Sequence, residues 1–132
     1  MPIGVFDSGL GGLTIVKALQ KYIPNESIIY FGDTARVPYG NKSPNTILKY
    51  SNEIVEFLIK QNIKAIIIAC NTATAIALND LKNRLDIPII GVVEPGVKAA
   101  LKKSYNKKIG VIGTSATIQS NAYMKHLKSI NK

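Results

Sequence analysis

The chain has 132 residues, and a hydrophobic content of 46% with clear periodicity excludes a disordered protein and fits a single domain of common size. No apolar run approaches the ~18 residues that a membrane-spanning helix needs, and no signal segment precedes the first apolar strand, so we expect a cytoplasmic protein without membrane contact. The single cysteine excludes a disulfide framework, in keeping with a reducing compartment.

The net charge of +9 comes from 17 basic and 8 acidic residues, and it is unevenly distributed. Eight lysines and no acid lie between Lys98 and Lys132, so the balancing acids are expected in sequence beyond this chain. Nucleic-acid surfaces usually combine lysine with arginine and aromatic side chains. This stretch has no arginine and only Tyr105 and Tyr123, which favours a solvated lysine-rich surface over a nucleic-acid site.

Five apolar runs alternate with amphipathic segments. The predicted strands are Ile3–Phe6, Ser27–Phe31, Ala65–Ala69, Pro88–Val92 and Lys108–Ile112, and the predicted helices span about 12–22, 44–61, 72–85, 95–104 and 116–129. Strict alternation predicts an α/β fold with an open parallel sheet and helices on both faces, Rossmann-like or flavodoxin-like. A fifth strand and helix with nothing after them indicate a second domain cut short.

Cys70 ends the third apolar run and is followed at once by an Ala- and Leu-rich helix. Ligands of open α/β sheets bind at the carboxyl ends of strands, and the positive end of a helix dipole favours a reactive thiolate. Cys70 is therefore a candidate catalytic thiol. The alternative is a buried structural cysteine, because free cysteines are among the most buried residues.

Asp7 and Ser8 follow the first strand in the same way and open a glycine-rich loop, Gly9-Leu10-Gly11-Gly12. Glycines allow the backbone to approach a ligand closely and leave N–H groups free to bind an anion. If the first and third strands are neighbours, these residues lie beside Cys70. We predict that Asp7, Ser8, Cys70, Asn71 and Thr72 converge on one cleft.

Two more loops follow predicted strands. In the loop of residues 33–40, Tyr39 and Gly40 are placed to cover the pocket, although Tyr39 could instead pack on its rim. In the loop of residues 113–117, Thr114 or Ser115 is expected to cap the next helix, which is compatible with ligand binding because free N–H groups remain.

A dinucleotide site is a competing interpretation of the first loop, with Asp33 as the acid that binds ribose. Thr14 stands where the third glycine of that fingerprint belongs, and the Asp7 carboxylate would repel a pyrophosphate. No Gly-Lys-Ser/Thr run follows, which excludes a P-loop. The only histidine, His126, lies among lysines and is interpreted as a surface residue, so no metal site is predicted.

Taken together, the loops resemble the aspartate/glutamate racemase superfamily, and within it the cofactor-independent glutamate racemases. The matching segments are Gly4–Gly12, Tyr30–Gly40, Ala69–Ala73, Gly91–Gly96, Gly113–Thr117 and Gln119–Tyr123. They occur in family order over essentially the whole chain. The Asp7-Ser8 pair and the Val37–Gly40 loop resemble the glutamate branch more than the aspartate branch.

The resemblance implies a two-thiol mechanism with no cofactor and no metal, in which one cysteine removes the α-proton of glutamate and a second returns a proton to the opposite face. Cys70 would then attack D-glutamate, and Asp7 would assist it and contact the ammonium group. The other residues that the resemblance assigns to substrate binding are Ser8, Tyr39, Gly40, Asn71, Thr72, Thr114 and Thr117, the last two holding a carboxylate. It also implies supply of D-glutamate for peptidoglycan and a homodimer in full-length members.

This chain departs from the family at one decisive point. The second cysteine of the family, in a Cys-Thr-His motif of a roughly twice-longer chain, has no counterpart here. The resemblance therefore implies a first racemase domain, 1–96, and the truncated beginning of a second, 97–132, inactive alone. Two other functions stay open: a non-catalytic remnant that binds amino acids, and an interaction protein, since some family members are reported to inhibit DNA gyrase.

Overall fold

The computed structural model describes residues 1–130 and contains a four-stranded parallel sheet with strand order β2-β1-β3-β4. The strands are β1 (Ile3–Asp7), β2 (Ile28–Gly32), β3 (Ala65–Ile68) and β4 (Ile89–Gly91). Each lies within one residue or so of the corresponding prediction. The predicted α/β fold with an open parallel sheet is confirmed.

Six helices connect and follow these strands in the described part of the chain. They are α1 (Leu13–Tyr22), α2 (Pro44–Ile59), α3 (Asn71–Arg84), α4 (Val93–Lys103), α5 (Ser115–Gln119) and α6 (Ala122–Ile130). Three begin at side-chain caps: the side chains of Ser43, Cys70 and Thr114 accept a hydrogen bond from the N–H group three residues later. Pro44 occupies the first turn of α2, as predicted.

Helices cover both faces of the sheet. Phe6, Ile66 and Ile68 point to the face covered by α2 and α3 and form the main hydrophobic core with them. Asp7 alternates with Phe6 and so points to the other face, where the residue before α1, Gly12, contacts it. This second face is less well covered, because Ile90 of β4 remains 53% exposed.

The prediction of a fifth strand at Lys108–Ile112 is wrong, because these residues form an irregular segment between α4 and α5. Their apolar pattern is that of a strand, but a strand also needs a neighbour to share its hydrogen-bond ladder. No strand among residues 1–130 pairs with this segment. Its apolar side chains are consequently incompletely covered, and Ile112 is almost fully exposed.

The single late helix predicted at 116–129 is instead two helices, α5 and α6. Asn121 adopts a left-handed backbone conformation (φ 56°), which ends α5 and reorients the chain before α6. Asparagine tolerates this conformation better than most residues. The predicted domain boundary between residues 96 and 97 falls within the continuous helix α4, whose Val93 and Val97 are both buried.

Within residues 1–130, no helix has the length and apolar character needed to span a bilayer.

Candidate active site

Cys70 lies at the carboxyl edge of the sheet, at the N-cap of α3, and is 5% exposed. Its Sγ accepts a hydrogen bond from the Ala73 N–H (3.4 Å) and donates one to the Ser8 Oγ (3.5 Å). Strands β1 and β3 are neighbours, so the loops that follow them meet although Ser8 and Cys70 are 62 residues apart. The thiol is thus held between a hydroxyl and the first turn of a 14-residue helix.

Asp7 is buried next to this pair, and its carboxylate turns back onto the glycine-rich loop. The Oδ2 atom accepts the Gly9 N–H at 3.0 Å. Tyr30 of β2 holds the same loop from another direction by donating its hydroxyl to the Gly9 carbonyl (2.7 Å). Burial, followed by the negative charge of the nearby Asp7 and Cys70 groups, raises the pKa of Tyr30.

Three threonine hydroxyls form a closed triangle beside the N-terminal turn of α3. Oγ1 of Thr72 lies 2.8 Å from that of Thr114 and 3.0 Å from that of Thr117, and the last two are 2.9 Å apart. Thr72 and Thr117 are buried, whereas Thr114 is exposed. Capping of α5 by Thr114 is observed as predicted, and the same side chain joins the triangle.

Gly40 connects the second loop to this triangle. Its carbonyl accepts the Ala116 N–H (3.1 Å), and a Cβ atom at position 40 would lie 2.4 Å from the Cβ of Thr114. No side chain fits in that gap, so glycine is required for the loop to contact α5.

Of the two positions considered for the Tyr39 side chain, over the pocket or packed against the protein, the structure has it packed and 1% exposed. Its hydroxyl donates to the Asp33 carboxylate and its ring packs against Tyr50 with centroids 5.7 Å apart. An apolar ring gains more from this burial than from an exposed position above a polar cleft. Asp33 also accepts the Arg36 Nε (2.7 Å), so the carboxylate considered for a ribose is already engaged.

Asn71 lies on the exposed side of the same edge, in the first turn of α3. Its Oδ1 accepts the hydroxyl of Tyr123 from α6, which leaves the amide NH₂ group as a donor. The structure therefore brings together Ser8 with Cys70, Thr72 with Thr114 and Thr117, and Asn71 with Tyr123. His126 lies in α6, and within residues 1–130 no three His, Cys, Asp or Glu side chains cluster closely enough to hold a metal ion.

Sequence reasoning missed the parts that Tyr30 and Tyr123 play in this site. Neither residue follows a strand or lies in a glycine-rich loop, and each acts on a segment far away in the chain. Two glycines in the sequence could have indicated the role of Tyr30, because Gly12 and Gly32 both leave room for its ring.

The buried Tyr39 is expected to make the protein less stable at alkaline pH. Burial, followed by the hydrogen bond to Asp33, raises the pKa of Tyr39 well above its ordinary value. The unfolded chain therefore loses its phenolic proton first, and stability present below about pH 10 is lost as the pH rises further, by up to about 1.4 kcal/mol per pH unit for one tyrosine.

Urea unfolding between neutral pH and high pH measures this loss. We expect the stability difference between the chain and its Tyr39→Phe variant to shrink above pH 10, because phenylalanine has no proton to lose. If the stability difference between the two proteins stayed constant across that pH range, the raised pKa of Tyr39 would be contradicted.

Comparisons with known proteins give the family of this fold and site. The sequence profile described as Asp/Glu/Hydantoin racemase matches residues 13–131. A glutamate racemase of a Sulfurihydrogenibium species is 58% identical over 133 aligned residues, which cover all of this chain and 51% of the relative. The chain belongs to the Asp/Glu/Hydantoin racemase family.

Solved racemases of the family share the fold closely. Glutamate racemase isoform RacE1 from Bacillus anthracis superposes with a TM-score of 0.96 at 48% identity, covering 98% of this chain and 49% of the other. Glutamate racemase from Francisella tularensis, in complex with D-glutamate, has a TM-score of 0.89 at 53% identity. This match covers 98% of the present chain and 49% of the Francisella chain. The chain spans about half the length of the curated relatives it matches.

Proposed function

We propose that this chain provides one thiol and much of the substrate-binding surface of a cofactor-independent glutamate racemase. The observation that carries the proposal is the contact of Cys70 with Ser8 and with the N-terminal turn of α3, at the carboxyl edge of a parallel sheet. High identity to glutamate racemases over the whole chain supports the substrate, and one such relative was solved with D-glutamate.

In the proposed reaction the Cys70 thiolate removes the α-proton of D-glutamate, and the C–H electron pair passes to the α-carbon and its carboxylate. A second thiol on the opposite face then donates a proton, which yields L-glutamate. Asp7 assists Cys70 and contacts the substrate ammonium. Because an α-proton is far less acidic than a thiol, the carbanion needs fixed hydrogen-bond donors in a site shielded from water.

The threonine triangle is proposed to bind a substrate carboxylate. The three hydroxyls donate and accept among themselves, and the Thr114 hydroxyl can turn its proton toward an arriving anion while the buried Thr72 and Thr117 still bond to each other. Exposed Thr114 gives access from solvent. The amide of Asn71 and the backbone of the Tyr39–Gly40 turn complete the proposed polar lining.

We further propose that the protein acts in the cytoplasm, where it would supply D-glutamate for peptidoglycan. A lone reactive thiol suits a reducing compartment, because it is not consumed by disulfide formation there. A homodimer is proposed for the full-length racemase, and the partly open sheet face at Ile90 leaves apolar surface available for protein contact.

Protection of Cys70 against alkylation tests the proposed substrate. Cys70 is the only cysteine, so the iodoacetamide reaction of the intact chain reports this thiol alone. We expect D-glutamate at millimolar concentrations to slow the reaction several-fold, by occupying the space next to Sγ. The Thr114→Val variant should lose most of this protection, because it lacks one proposed carboxylate donor.

Thr46→Val is the matched control, since Thr46 lies at the start of α2 and outside the triangle. It should be protected as well as the unaltered chain. Alkylation that is independent of D-glutamate, or equal protection in the Thr114→Val variant, would refute the proposed binding site.

A further inference from the structure

Tyr30 makes a contact that the proposed mechanism does not use. It lies in the middle of β2, and its hydroxyl donates to the Gly9 carbonyl at 2.7 Å. The Asp7 carboxylate holds the N–H of the same residue at 3.0 Å. Asp7 therefore holds the peptide group that precedes Gly9, through its N–H, and Tyr30 holds the peptide group that follows it, through the Gly9 carbonyl. Ser8, whose Oγ accepts from Cys70, is directly attached to this fixed unit.

The two glycines around the Tyr30 ring show how closely the loop is fitted to it. A Cβ atom at Gly32 would lie 2.4 Å from the Gly9 carbonyl oxygen and 3.1 Å from the Tyr30 ring. At Gly12 it would lie 2.7 Å from the Asp7 Cβ and 3.1 Å from the same ring. Side chains at either position would displace the tyrosine or the loop, so the fit depends on both glycines.

We propose that Tyr30 is a positioning residue that, through the Gly9 carbonyl, holds the Ser8 hydroxyl against Cys70 and so sets the reactivity of that thiol. The proposal rests on the proposed function only in taking Cys70 as the reacting group. Tyr30 is suited to this part because its hydroxyl is a donor as long as it is protonated, and burial with nearby negative charge raises its pKa.

The first test measures alkylation of Cys70 in the whole chain at neutral pH, without glutamate. Tyr30→Phe keeps the ring and removes the donor, so Ser8 is no longer held against the thiol. The reacting thiolate is an acceptor, so the Ser8 hydroxyl donates to it in that form. We expect about a 3- to 10-fold slower reaction, the order of one ordinary hydrogen bond. Tyr105→Phe is the matched control, because Tyr105 is fully exposed, and its rate should equal that of the unaltered chain.

A double-mutant cycle separates positioning from a general structural effect. Ser8→Ala alone should slow alkylation to a similar degree, and adding Tyr30→Phe should change the rate less than about twofold further, because both act through one contact. An unchanged rate in Tyr30→Phe, or effects that multiply in the double variant, would overturn the proposal.

Hydrogen exchange of the Gly9 amide gives a second readout that does not depend on the thiol. In Tyr30→Phe this amide should exchange about tenfold or more faster, while the Ile66 amide, bonded to the Pro88 carbonyl in the core, keeps its protection. Unchanged Gly9 exchange, or equal acceleration at Ile66, would count against positioning. Neither experiment contains glutamate, so absent D-glutamate protection would refute the proposed function and leave this inference standing.

Discussion

Incubated with L- or D-glutamate, the 132-residue chain is expected to leave both enantiomers unchanged. Inversion requires a proton to be taken from one face of the α-carbon and another delivered to the opposite face. Cys70 is the only thiol, and His126 lies in the lysine-rich helix α6 rather than at the carboxyl edge of the sheet. Water could reprotonate a carbanion, but an open site leaves the charge solvated and loses the low-dielectric stabilisation that the step needs.

Circular dichroism or chiral chromatography of each enantiomer, over long incubation, measures the expected absence of turnover. The control is Cys70→Ala, which removes the only thiol. Racemisation clearly faster than in that control would show that this chain holds a complete catalytic site, and the two-thiol assignment would then be wrong.

Removal of the Asp33 carboxylate is expected to cost about 2 to 4 kcal/mol of the free energy of unfolding. Asp33 is 5% exposed and accepts both the Tyr39 hydroxyl and the Arg36 Nε. In Asp33→Ala the Tyr39 hydroxyl stays buried without its acceptor. Arg36, stacked 4.0 Å over the Tyr50 ring, loses one of its two ion pairs and keeps the one with Glu53. Asp33→Asn keeps an acceptor and should lose less.

Urea denaturation of the variants measures this effect, with Asp80→Ala as the matched control. Asp80 and Arg84 are both 45% exposed and 3.9 Å apart, so losing that pair should change stability by less than about 0.5 kcal/mol. Equal losses in Asp33→Ala and Asp80→Ala would show that the buried carboxylate contributes no more than a surface one.

The four paired strands could be predicted because parallel strands covered on both faces are continuous apolar runs. The run Lys108–Ile112 has the same local pattern and is not a strand. The four strands each have a neighbouring strand and this run has none among the described residues. A strand is stable only when another strand completes its hydrogen bonds. Nothing in residues 108–112 themselves tells whether that neighbour is present.

The candidate site also combines features that are local in the chain with contacts that only the folded structure makes. Cys70 and Asp7 were identified because strand ends and helix starts are local features of the chain. The sequence left the position of the Tyr39 side chain open, since the buried Asp33 that binds it is recognised only once β2 and α2 are in place. Tyr30 was missed because its acceptor, Gly9, lies 21 residues earlier in the chain.

The amino-acid sequence by itself determined the four paired strands and the helices between them, the α/β class and the placement of a thiol and a carboxylate at strand ends. These depend on periodicity, caps and glycines, which act within a few residues. Only the tertiary structure decided that Cys70 meets Ser8 across 62 residues and that Thr72 meets Thr114 across 42. Such contacts depend on which strands become neighbours, and burial of apolar surface by the whole chain selects that arrangement.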